Sequence, residues 1–117
     1  MQKRKSGAQT LVFSSLPRIK SAATVVGPLE GEGPLGSSFD TVYPDQLQDH
    51  KSWEACERAM MKEAVHLALK KGGVASQAVD FMLAGDLLNQ IISCKFAARD
   101  LGIPFLGLYG ACSSFAE

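Results

Sequence analysis

The chain has 117 residues, 46% of them hydrophobic and 21% charged, and its twelve basic side chains cancel twelve acidic ones. That length suits one domain with a core of its own; the composition excludes wholesale disorder, and the charge balance gives no long-range pull toward nucleic acid or an anionic membrane. Three cysteines, at positions 56, 94 and 112, lack CxxC spacing. This excludes a zinc knuckle, leaves no metal site to assign, argues against a disulfide framework and fits a reducing, cytoplasmic-type compartment.

Lys3-Arg4-Lys5 is the one basic run and reads as a solvated tail. No apolar stretch follows it, so it is not the front of a signal peptide, and runs such as 105–109 are too short to cross a bilayer. Residues 10–26 read as extended: TLVF and IKSAATVV are rich in β-formers, and SSLP turns between them. The glycine- and proline-rich stretch 27–36 is a loop, and irregular structure continues to about His50. Ser52 then caps the clearest helix, whose apolar stripe is Trp53, Cys56, Met60, Ala64 and Leu67. Glu54 and Glu57 lie near its positive end and Lys70-Lys71 near its negative end, and Gly72-Gly73 stop it.

The apolar run 79–85 has little alternation, as expected of a strand buried on both faces of a parallel sheet. A second helix is predicted over 86–101, ended by Gly102, and a second apolar strand over 103–110. The order helix, strand, helix, strand points to an α/β layer fold with right-handed parallel crossovers. Cys56 and Cys94 fall within helical patterns as small buried hydrophobes.

Three places invite a chemical reading. Residues 31–36 spell GxGxxG, but Pro34 lacks an N–H, Glu32 adds negative charge, and SSFDTVYP follows where a dinucleotide site needs a helix. The motif therefore reads as a rigid loop, and no cofactor is assigned. Asp86 follows Gly85 at the carboxyl end of a predicted strand, where ligand sites gather in α/β sheets; the same residue would serve as an N-cap. Asn89 and Gln90, further along, line a pocket or face solvent. Gly110-Ala111-Cys112-Ser113-Ser114 resembles a strand-to-helix elbow, where a thiol would meet unpaired N–H groups that favour thiolate and could hold an oxyanion. The bland alternative is a small residue where strand meets helix. His50 and His66, the two histidines, are not obvious partners for it.

VGPLEGEGPLGSSFD (26–40), SWEACERAMM (52–61), LAGDLLNQ (83–90) and IPFLGLYGACSS (103–114) resemble the stage V sporulation AD family, thiolase-like proteins of spore-forming bacteria. The resemblance runs from about Thr10 to the end. It implies a thiolase-like α/β fold of which residues 1–117 are a partial N-terminal domain, ending after the nucleophile elbow, with Cys112 at the nucleophile position. It further implies ligand handling rather than established acyl transfer. The ligand is dipicolinic acid, and its candidate contacts are Asp86, Asn89, Cys112 and Ser113. The implied partners are other stage V sporulation A operon proteins. The implied location is cytoplasmic-type and soluble, peripheral to the inner spore membrane, with a homodimer as the assembly of the full-length protein. The rival readings are a thiolase or acyltransferase that forms a thioester on Cys112, and a hydrolase with a G-x-C-x-S elbow.

Overall fold

The structure is a computed structural model that describes residues 5–115. Of the basic run at the amino end, Lys3 and Arg4 lie outside the described residues. Two strands, β1 (Lys5–Ser6) and β2 (Thr10–Leu11), form an antiparallel hairpin, while β3 (Val25–Val26) pairs in parallel with β4 (Thr41–Val42). The extended stretch predicted for 10–26 thus contributes only its two ends to strands.

The glycine-rich connection between β3 and β4 is more ordered than expected. It contains a one-turn helix, α1 (Pro28–Gly31), with proline in its first turn, and a 3₁₀ turn at Gly36–Ser38. The motif glycines are needed for packing. A side chain on Gly31 would collide with Val42 of β4, and one on Gly36 with the Gly31 carbonyl. Thr24 and Asp40 close the ends of the strand pair reciprocally: the Thr24 N–H donates to Asp40 Oδ2 at 2.9 Å, and the Asp40 N–H to Thr24 Oγ1 at 3.0 Å.

Helix α2 (Trp53–Gly72) begins and ends where the sequence predicts. The Ser52 hydroxyl accepts the Ala55 N–H at 3.2 Å, and Gly73 closes the helix in the left-handed region at φ 58°. Two contacts tie the preceding extended segment to the end of this helix. Ser21 Oγ donates to the Ala68 carbonyl at 2.7 Å, and Lys71 Nζ donates to the Ala22 carbonyl at 3.0 Å while also reaching Asp40 Oδ1 at 2.6 Å. Tyr43, buried beside α2, donates to Glu63 Oε2 at 2.8 Å, and burial followed by that carboxylate pushes its hydroxyl up to about 12.

β5 (Met82–Ala84), α3 (Ile92–Leu101) and β6 (Phe105–Gly107) form a strand–helix–strand unit with the two strands parallel, Met82 opposite Phe105 and Ala84 opposite Gly107. Helix and parallel strand pairs together make the chain α/β, as its element order predicts. Helices α2 and α3 pack on each other, and the buried residues on α3 are small: Ser93, Cys94, Ala97 and Ala98. Small side chains let the two helix backbones approach closely.

Among the described residues, the strand pairs β3–β4 and β5–β6 are not hydrogen-bonded into one sheet. One expectation fails here: the β5–β6 pair is not buried on both faces. Met82, Ala84, Phe105 and Gly107 are partly covered, while Leu83 and Leu106 on the opposite face are 48% and 60% exposed. Alternation of side chains along each strand puts these two sets on opposite faces, and only the first is covered.

Candidate functional site

The carboxyl ends of β5 and β6 bring the two predicted site segments side by side. Beyond the strands, the Leu108 N–H donates to the Ala84 carbonyl at 2.9 Å, which carries the pairing on toward Gly85. Chain 108–110 then enters a 3₁₀ turn at Ala111–Phe115 that folds back over Gly85. An added methyl at Gly85 would lie 2.8 Å from both the Leu108 carbonyl and Ser114 Oγ, so only glycine admits the turn here.

Cys112 sits on that turn and is exposed, in contrast to the other two cysteines. The expected α-helix start is a five-residue 3₁₀ turn, so the thiol does not face the dipole of a longer helix among the described residues. Ser113 holds the turn: both its N–H and its hydroxyl donate to the Gly110 carbonyl at 2.8 Å. His50 borders a small cleft with Arg58 and Lys62, and His66 borders another with Tyr43 and Glu63; neither cleft includes Cys112.

Asp86 points the other way, into the protein, and is 8% exposed. The second helix does not begin at this residue, as the apolar spacing of 86–101 suggested, but at Ile92. Residues 86–91 form a tight connection in which Gln90 and Ile91 adopt positive φ, 40° and 69°. Positive φ at a β-branched residue is strained and persists only when its surroundings hold it. Two contacts hold it here. Asp86 Oδ2 accepts the Cys94 N–H at 3.0 Å and Oδ1 the Asn89 N–H at 3.3 Å, so the carboxylate caps the third residue of α3 from across the connection. The Ile91 side chain lies over Gly107, where an added methyl would approach it to 2.6 Å. The Asn89 side chain donates to Glu54 Oε1 at 2.9 Å and so braces the connection against α2. No hydrogen bond among the described residues joins Asp86 or Asn89 to Cys112.

The buried thiols are unsuited to chemistry. Cys94, fully buried, donates to the Ala84 carbonyl at 3.8 Å, and burial followed by the Asp86 carboxylate pushes it up to about 12. Burial, then Asp45, also raises Cys56, whose thiol donates to the Gln46 carbonyl at 3.3 Å. Among the described residues, no group of three or more histidine, cysteine or acidic side chains is arranged to hold a metal.

One cavity was not foreseen from sequence. A groove of about 570 Å³ runs beside the first turns of α2, lined by Leu29 and Glu30 of α1, by Trp53, Glu57 and Met60, and by Leu88. Trp53, read as part of the core stripe, is 52% exposed on its wall. The one available signal was Glu57, a charge adjoining an otherwise apolar stripe.

A family model described as stage V sporulation protein AD (SpoVAD) matches residues 7–117. The chain belongs to the SpoVAD family. Stage V sporulation protein AD of Bacillus subtilis (strain 168) is 46% identical over 112 residues, which are 96% of this chain and 33% of that relative. The chain therefore spans about a third of the length of this SpoVAD relative. Among the described residues, no helix is long and apolar enough to cross a membrane.

Proposed function

We propose that this SpoVAD-family chain serves sporulation by holding dipicolinic acid and supporting its uptake into the developing spore. In this reading the scaffold is thiolase-like, Cys112 stands at the nucleophile position without forming a covalent intermediate, and other stage V sporulation A operon proteins at the inner spore membrane are the partners. Family membership carries the reading. The geometry supports it in one respect. The parallel strands β5 and β6 end at Gly85 and at the Cys112 turn, and ligands of α/β sheets bind beyond the carboxyl ends of strands. A planar dicarboxylate needs hydroxyl or N–H donors beside apolar walls, and an exposed thiol on a serine-rich turn can contribute to such a pocket.

Calorimetric titration of the full chain with dipicolinate tests this. Saturable binding is expected, retained in Cys112→Ser and weakened about tenfold in Cys112→Ala, the equivalent of one modest hydrogen bond. Mass spectrometry after incubation with an acyl-coenzyme A is expected to show no adduct. Absence of dipicolinate binding, or a thioester on Cys112 that is missing from Cys112→Ala, overturns the proposal.

A further inference from the structure

Ile91 holds a costly backbone conformation. It stands immediately before α3 in the left-handed region, at φ 69° and ψ −4°, and Gln90 before it is at φ 40°. Glycine and asparagine take that conformation readily, whereas a side chain branched at Cβ is crowded there. The Ile91 side chain makes no helix cap. It occupies the space over Gly107 instead: a methyl built on that glycine would lie 2.6 Å from Ile91 Cγ2, 2.7 Å from Cδ1 and 3.3 Å from Cγ1.

Gly107 is the last residue of β6, five positions before Cys112. The chain between them is short and tied. The Leu108 N–H donates to the Ala84 carbonyl at 2.9 Å, and the N–H and hydroxyl of Ser113 both donate to the Gly110 carbonyl at 2.8 Å. A displaced strand end therefore displaces the turn. Ile91 is itself anchored from behind. Its carbonyl accepts the Lys95 N–H at 3.1 Å, and Asp86 Oδ2 holds the Cys94 N–H at 3.0 Å. The isoleucine thus stands between a fixed helix and the strand end that leads to the thiol.

We propose that Ile91 is a positioning residue for the Cys112 turn: its side chain, seated on Gly107, sets where β6 ends and so where the exposed thiol is presented. The consequence for ligand rests on the reading of Cys112 as part of a dipicolinate site; the contact itself does not. Hydrogen exchange of the full chain, read by mass spectrometry, tests it without ligand. In Ile91→Ala the amides of 108–114 are expected to exchange about tenfold faster, while those in the middle of α2 rise far less. Ile91→Val keeps two of the three contacting atoms and is expected to hold the turn nearly as the parent does. Ser52→Ala, which removes the cap of α2, is expected to leave 108–114 at the parental rate. Gly107→Ala pushes the isoleucine from the strand side, so it should loosen the turn in the parent but tighten it in the Ile91→Ala background, where the methyl fills vacated space; such a reversal marks direct contact. Should Ile91→Ala fold poorly, Ile91→Leu takes its place: it loses the Cγ2 contact and should loosen the turn about threefold. Dipicolinate affinity is expected to fall about tenfold in Ile91→Ala and to recover in Ile91→Val. A parent that binds no dipicolinate overturns the ligand reading alone, and the exchange result still decides the role of Ile91. Unchanged exchange at 108–114, a rise of equal size throughout the chain, an equal rise in Ser52→Ala, or a Gly107→Ala effect that is the same in both backgrounds overturns the proposal.

Discussion

Replacing Asp86 separates its structural duty from any direct role with ligand. In Asp86→Ala the Cys94 N–H loses its acceptor at 3.0 Å inside a residue that is fully buried, so water cannot replace the bond. An orphaned buried donor costs about 1–3 kcal/mol, and loss of a helix cap, which counts the same bond, costs about 0.5–2 kcal/mol. The Asn89 N–H belongs to an exposed residue and can turn to water, so it adds little. The expected destabilisation is thus about 2 kcal/mol. In Asp86→Asn the carbonyl oxygen can still accept from Cys94 and only the attraction between carboxylate and helix end is lost, about 0.5–1 kcal/mol. With a urea dependence of about 2 kcal/mol/M for a domain of this size, the alanine variant should unfold on the order of 1 M earlier and the asparagine variant about a quarter to a half as far. Equilibrium urea unfolding followed by far-ultraviolet circular dichroism measures both. An alanine variant that unfolds with the parent, or an asparagine variant as damaged as the alanine one, would refute the cap. If Asp86 acts on ligand instead, both midpoints stay put while dipicolinate affinity falls.

Three other outcomes follow from local geometry. Gly85→Ala places a methyl 2.8 Å from the Leu108 carbonyl and from Ser114 Oγ; the serine can rotate but the backbone cannot, so a loss of about 1–3 kcal/mol is expected, and an unchanged melting temperature refutes the close approach. Asp100 is held down to about 2, first by Arg58 and then by Lys62, against an ordinary value of 3.8. A carboxylate with a depressed folded pKa stabilises the fold above the ordinary value and loses that contribution as pH falls toward 2, so the melting temperature of Asp100→Asn should decline less than that of the parent between pH 4 and pH 2. Parallel declines would show that the ion pairs do not act in solution. Ellman's reagent at neutral pH should label Cys112 in the native chain and reach Cys56 and Cys94 only on unfolding; rapid labelling of all three contradicts the burial of the latter pair.

The elements the sequence made legible are those whose signals are local. Ser52 at the start of α2 and Gly73 at its end act through their own neighbours, and both are readable as letters. The start of α3 is not. Leu87, Leu88 and Ile91 continue a helical spacing backward from Ile92, yet the chain there is pulled out of helix by Asp86 and by the seat that Gly107 offers to Ile91. Gly107 is sixteen positions away, so no local window contains the cause. Trp53 was misplaced for the same reason: periodicity shows that a face is apolar but not whether anything covers it. At the candidate site, the sequence suggested Asp86 as the N-cap of a helix beginning beside it; its carboxylate does accept an N–H from the first turn of α3, but that helix begins six positions further on, a reach the N-cap rule does not contain. The Asn89 partner, Glu54 on another helix, was not legible.

Segment 83–90 serves two places at once. Gly85 admits the turn that carries Cys112, and two residues on, Leu87 and Leu88 form a wall of the groove beside Trp53. Between them Asp86 fixes the chain to the first turn of α3. The strain at Gln90 and Ile91 is the cost of turning the backbone sharply enough to serve both. A regular helix from residue 86 onward would avoid that strain, but it would carry the connection away from its present path, in which Asn89 reaches Glu54 and the two leucines reach the groove. The strained connection is therefore better explained by what it positions than by the stability of α3, which a local cap at residue 91 would have supplied more simply.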